Sequence, residues 1–109
     1  MNQMQRLIAE RLEPRRALAQ RLVNEIVLDA ARQDFEITPV GSLARGEFRL
    51  HSDVDLLVRG RLDPVRRLRA EQLVASHLRG ADIDYDLIFE TDLDPARVEE
   101  LLHDAVHAG

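Results

Sequence analysis

The chain has 109 residues, no cysteine, a formal net charge of -5, and 32% charged against 45% hydrophobic residues, the composition of one small domain with its own core. The lack of cysteine excludes disulfides and thiolate metal sites, so any metal must be held by oxygen or imidazole ligands, which favours a hard cation such as magnesium. The acidic balance argues against direct nucleic-acid binding and against adhesion to anionic membrane, no apolar run approaches the ~18 residues of a membrane span, and the N-terminus lacks a secretory pattern, so a cytoplasmic protein with a small phosphorylated ligand is expected.

The first predicted elements are helical. Met4, Leu7, Ile8 and Leu12 outline a short amphipathic segment. Pro14 is expected to separate it from, or kink it against, a longer helix whose Leu18, Leu22, Ile26 and Ala30 recur every four residues, with Val23 and Val27 widening the stripe. That stripe reads as core. Residues 1–34 are thus a helical N-terminal segment, and about 35–109 the core of a single domain spanning 1–109.

Phe35 to Val40 predicts a strand that runs into Gly41-Ser42 and a short helix. Val54 to Val58 and Ile83 to Phe89 predict two more strands, each followed by a helix that opens with Asp-Pro, at Asp63-Pro64 and Asp94-Pro95, aspartate capping and proline in the first turn. The first of these helices is expected to bury Val65, Leu68, Val74 and Leu78 and to stop at Gly80; the second, to bury Val98, Leu101, Leu102, Ala105 and Val106. The two units echo each other: Asp55-Leu56-Leu57-Val58 and then Leu62-Asp63-Pro64 match Asp86-Leu87-Ile88-Phe89 and then Leu93-Asp94-Pro95 at the same spacing.

The chemistry concentrates between residues 41 and 58. Gly41 and Ser42 end a strand and enter a helix, where backbone N–H groups and a hydroxyl can cradle phosphate oxygens and glycine permits close approach. Asp53 and Asp55, two apart on a strand, project from one face and repel unless a cation lies between them. A third carboxylate would complete a two-metal site for in-line phosphoryl displacement. Asp82, Asp84 and Asp86 share one face, so alternation does not choose among them; the echo with Asp55 favours Asp86, with Asp84 as substitute. Asp86 could also take the proton of an incoming hydroxyl.

Gly41-Ser42, ten residues, then Asp53-Val54-Asp55 resembles the signature of the minimal nucleotidyltransferases of the DNA polymerase beta superfamily. The family's Gly-Ser-x-Ala-Arg-Gly opening stands at residues 41–46, its Ser-Asp-x-Asp-Leu core at 52–56, and its later Asp-Leu strand at Asp86-Leu87, so the resemblance covers about 37–90. It implies an α+β, polymerase beta-like fold with a small mixed sheet backed by helices. It also implies transfer of a nucleoside monophosphate, AMP from ATP foremost, with two magnesium ions held by Asp53, Asp55 and Asp86. Gly41, Ser42, Arg45 and Ser52 would bind the nucleotide. Stand-alone members of about this length are commonly antitoxins that modify HEPN-type ribonuclease toxins, which implies a protein partner supplying the acceptor hydroxyl. The rival readings are a non-catalytic module that neutralises its partner by occlusion, and transfer to a small molecule as in antibiotic-modifying relatives.

Other residues have plainer readings. Ser42 could simply cap the short helix, Arg45 could pair with Glu47, and Ser52 could orient Asp53. Arg49 is open to either reading, and His51 adjoins the motif in unreadable alternation. Arg66, Arg67 and Arg69 read as a solvated helix face or a docking patch; His103 and His107, four apart, lack a companion acid motif and read as a solvated helix end.

Overall fold

One helix, α1 (Gln3–Arg32), runs through both predicted N-terminal segments in the computed structural model, which describes residues 2–49 and 52–107. His51 lies outside the described residues, as do the side chains of residues 8, 9, 11, 104, 106 and 107, among them Ile8, Val106 and His107. Pro14 therefore neither separates two helices nor ends one, although it deprives the Glu10 carbonyl of its intrahelical donor at a typical cost of about 3 kcal/mol. The compensation lies on the C-terminal side. Leu22, Val23, Ile26 and Ala30 are buried there as the stripe predicts, while upstream Met4 and Leu7 remain 65% and 50% exposed and Leu12 packs on the core.

Asp34 closes α1 in the left-handed conformation (φ 64°), and the Phe35 and Asp34 amides donate to the Ala30 and Ala31 carbonyls in a Schellman motif. Phe35 consequently belongs to the helix stop rather than to the strand, which begins at Ile37. The strands are β1 (Ile37–Val40), β2 (Val54–Val58) and β3 (Tyr85–Phe89), with the short helix α2 (Gly41–Ala44) between the first two. Helix α3 (Pro64–Leu78) links β2 to β3, and a 3-10 turn (Glu90–Asp92) precedes α4 (Pro95–His107). Asp63 and Asp94 cap α3 and α4 through the amides of Arg66 and Arg97, as the Asp-Pro pairs predict.

The fold is α+β, consistent with the polymerase beta-like expectation. The sheet is mixed, in the order β1-β2-β3, with β1 antiparallel and β3 parallel to β2. Pro39, which lacks an N–H, sits on the edge strand β1, where a sheet tolerates it. Side-chain alternation sends Val54, Leu56 and Val58 into the main core with α1 and α3, and Leu57 to the opposite face, where Val40 and Leu57 pack with Val98 and Leu101 of α4. In α3 the buried positions are Ala70, Leu73, Val74 and Leu78; Val65 and Leu68 are 64% and 53% exposed, contrary to the predicted stripe. Among the described residues, no helix is long and apolar enough to cross a membrane.

The arginine run on α3 is engaged within the fold. Arg66 stacks over the Phe35 ring and donates to the Gln33 and Asp34 carbonyls that end α1, while Arg67 makes a two-pronged bond to Asp92 over the Phe89 ring. Two of its three members are therefore staples between elements. A further link joins α1 to α3: His77 Nε2 lies 2.8 Å from Asp29 Oδ2.

The bond to His77, with a second from Gln33, holds the Asp29 carboxyl below its ordinary range. A lowered folded-state pKa stabilises the fold above the unfolded carboxylate pKa and ceases to do so as pH falls through the folded one. Asp29→Asn is expected to lower the melting temperature slightly at neutral pH, with the gap closing on acidification; thermal melts of both proteins across that range check it.

Candidate active site

Backbone pairing assembles the site. Across the antiparallel pair Val40 faces Asp55, and across the parallel pair Asp55 faces Asp86, so the strand that ends at Gly41 delivers that glycine beside two facing carboxylates. The internal echo in the sequence is this parallel register: Asp55 pairs with Asp86, and Val58 with Phe89. The register thus sets Asp86 directly opposite Asp55. The main-chain carbonyl of Asp84 accepts from the Val54 amide at the start of β2, and that of Asp82 from Arg15.

Gly41 opens α2 with φ 71°, and a Cβ there would overlap Asp55 Oδ2. Two constraints, a left-handed backbone and the space taken by the carboxylate, therefore demand glycine at this position. The residue before α2 is Val40, which provides no side-chain cap, so Ser42 lies inside the short helix and is not its cap. A cavity of about 350 Å³ opens here, lined by Gly41, Ser42, Arg45, Asp55 and Asp86, with Arg97 and Leu101 of α4 forming part of its wall.

Asp55 is half-buried, and its carboxyl is raised above the ordinary aspartate range, first by desolvation, then by the charge of Asp86, then by that of Asp53; Arg45 opposes the shift. Asp53 thus acts on Asp55 electrostatically from an exposed position just ahead of β2, without lining the cavity. Arg45 Nε contacts Glu47 at 3.2 Å, so the ion pair and the place at the cavity coexist. Ser52 stands apart from the cavity: its hydroxyl accepts from the Arg49 amide at 2.8 Å, just ahead of Asp53. Among the described residues, no group of three or more acidic or histidine side chains is gathered closely enough to hold a metal ion unaided.

That donor set still suits magnesium, which usually takes one or two protein carboxylates and completes its shell with water and substrate phosphates. Asp55 and Asp86 provide such a pair, and a cation between them would offset both the burial and the neighbouring Asp86 charge that raise the Asp55 carboxyl. Arg97 is the site residue that sequence reading missed. Its only local signal was the Asp94 cap that starts α4, and its place at the cavity depends on how α4 packs over β1 and α2.

A larger groove of about 730 Å³ lies beyond the other ends of β2 and β3, beside Arg59, Glu90 and Leu93. Its strongest polar groups are committed to structure, since Arg59 pairs with Glu36 and Glu90, and Glu90 also accepts from the Gly60 amide. A family model described as nucleotidyltransferase domain matches residues 21–107, which takes in all three strands, the cavity and α4. No curated protein matches the chain.

A raised carboxyl means that ionising Asp55 costs folding free energy above the folded-state pKa, a cost absent below the unfolded one. Asp55→Asn should therefore raise the melting temperature of metal-free protein at neutral pH, with the gain disappearing in acid, as thermal melts would show. Gly41→Ala should act oppositely and lose about 1–2 kcal/mol or more, measured by urea unfolding, because the left-handed backbone and the carboxylate both resist a side chain.

Proposed function

Because the chain belongs to the nucleotidyltransferase domain family, we propose that its nucleotidyl transfer is directed at a hydroxyl of a partner protein, with magnesium required and ATP as the donor of AMP. The observation that carries the chemistry is the facing pair Asp55 and Asp86 beside Gly41 at the mouth of α2. The protein acceptor rests on the resemblance of residues 37–90 to the minimal nucleotidyltransferases, and the partner proposed on that basis is a HEPN-type toxin, with this chain as its antitoxin.

Asp53, Asp55 and Asp86 would hold magnesium with the donor phosphates, Asp53 from its position just ahead of β2. When bound, magnesium supplies Lewis-acid polarisation of the phosphoryl oxygens and neutralises charge developing in the transition state. The residues perform the remaining tasks. Gly41 leaves room for phosphate at the first turn of α2, and the Ser42 hydroxyl and Arg45 guanidinium at the cavity wall bind its oxygens. Asp86, exposed at the cavity, accepts the proton of the incoming hydroxyl as its oxygen attacks the α-phosphorus. Ser52, bonded to the Arg49 amide, would orient the neighbouring Asp53.

Intact mass spectrometry after incubation with each nucleoside triphosphate, magnesium and the HEPN-type partner tests this reading. The expected result is a partner heavier by one or more nucleoside monophosphates, lost when Asp53 and Asp55 are both changed to Asn while the fold persists. Tight complex formation with no mass gain, and equal neutralisation of the toxin by the double variant, would instead establish an occluding module. Mass gain on a small hydroxylated compound alone would establish the antibiotic-type reaction.

A further inference from the structure

We propose that Arg97, in the first turn of α4, binds the two donor phosphates that depart as pyrophosphate, and that Glu100 restrains it until they arrive. The inference rests on the nucleotidyl-transfer reading and assigns to that site a residue outside the sequence motif.

Arg97 lines the cavity that holds Ser42, Arg45, Asp55 and Asp86. The charged lining is therefore two carboxylates and two guanidiniums, contributed by different elements: Arg45 follows α2, while Arg97 comes from α4, which packs against β1 and α2. Arg45 acts electrostatically on Asp55, at the carboxylate end of the cavity, where the α-phosphate must lie for attack. Arg97, on the α4 wall, is the second cation lining the same cavity and is available to the phosphates beyond the α-phosphate. In the transfer step the acceptor oxygen forms a bond to the α-phosphorus while the bond from that phosphorus to the bridging oxygen breaks. The electron pair leaves with pyrophosphate, and the hydroxyl proton passes to Asp86. Negative charge accumulates on the leaving phosphates, and a guanidinium there stabilises the transition state.

Arg97 is suitably held for this exchange. Its Nη1 lies 3.0 Å from Glu100 Oε2, one turn along α4, and the two side chains are 52% and 65% exposed. An ion pair this open is weak, whereas phosphate oxygens offer a two-pronged, charge-assisted acceptor to a planar guanidinium. Arriving phosphates can thus take Arg97 from Glu100 without breaking anything that holds the fold.

Isothermal titration of inorganic pyrophosphate with magnesium into wild type, Arg97→Gln, Arg97→Lys and Glu100→Gln, together with ATP kinetics, tests the inference. The expected result is affinity for pyrophosphate weakened about tenfold or more in Arg97→Gln, incompletely rescued in Arg97→Lys, and strengthened in Glu100→Gln, with unchanged circular dichroism throughout. In the kinetics, pyrophosphate becomes a poorer product inhibitor of Arg97→Gln. Pyrophosphate binding by Arg97→Gln equal to that of wild type, alongside a transferring wild-type enzyme, overturns the role of Arg97 alone. Wild-type protein that binds neither ATP nor pyrophosphate and transfers nothing overturns the nucleotidyl-transfer reading itself.

Discussion

The parallel pairing of β2 with β3 places two carboxylates, Asp55 and Asp86, side by side on the α4 face of the sheet, and the site is arranged around that repulsion. The same register puts Leu56 beside Leu87 and Val58 beside Phe89, and these side chains pack in the main core on the other face. A slip of one residue would send the aspartates into that core and the leucines into the cavity. Hydrophobic burial therefore holds in place a contact that electrostatics alone would push apart. Gly41 completes the arrangement by bringing backbone where any side chain would collide with Asp55.

Arginine side chains tie the loops around this sheet. Arg15 and Arg16, one turn of α1, reach the carbonyls of Asp82 and Phe48, which lie in the segments leading to β3 and β2. Arg66 and Arg67 fasten the end of α1 and the 3-10 turn to α3, and Arg59 with Glu90 joins the far ends of β2 and β3. Guanidinium suits such work because its donors form a fixed fork and its flat face stacks on aromatic rings. With only four aromatic residues in the chain, two of those rings serve as seats for arginine.

Much of this was legible in the sequence, for identifiable reasons. Strand β2, the Asp-Pro starts of α3 and α4, and the shared register of Asp55 and Asp86 follow from local rules of alternation, capping and spacing. The departures depend on tertiary context. Pro14 looked like a boundary, but the burial of α1 downstream outweighs one lost backbone bond. Val65 and Leu68 fit the helical period of α3, yet the core is met by Ala70, Leu73 and Val74, and in the first turns it is Arg66 and Arg67 that face inward, over Phe35 and Phe89. The arginine run looked like a surface patch because no local pattern reveals that Phe35 and Phe89 would lie beneath it. Arg97 reaches the cavity through helix packing, which leaves no motif.

Pro14 has a further consequence, for the exchange of amide hydrogens along α1. Proline contributes no amide of its own, and the carbonyl of Glu10 has lost its helical donor, so the hydrogen-bond ladder is thinnest where the helix leaves the body. Downstream, Ala19, Val23, Ile26 and Ala30 are fully buried, and opening that stretch means opening the core. Upstream, the capping box between Asn2 and Gln5 closes the far end, but Met4 and Leu7 add little burial. One continuous helix thus contains two units of local unfolding: a fast-exchanging arm before Pro14, and a body segment whose protection approaches that of the whole fold.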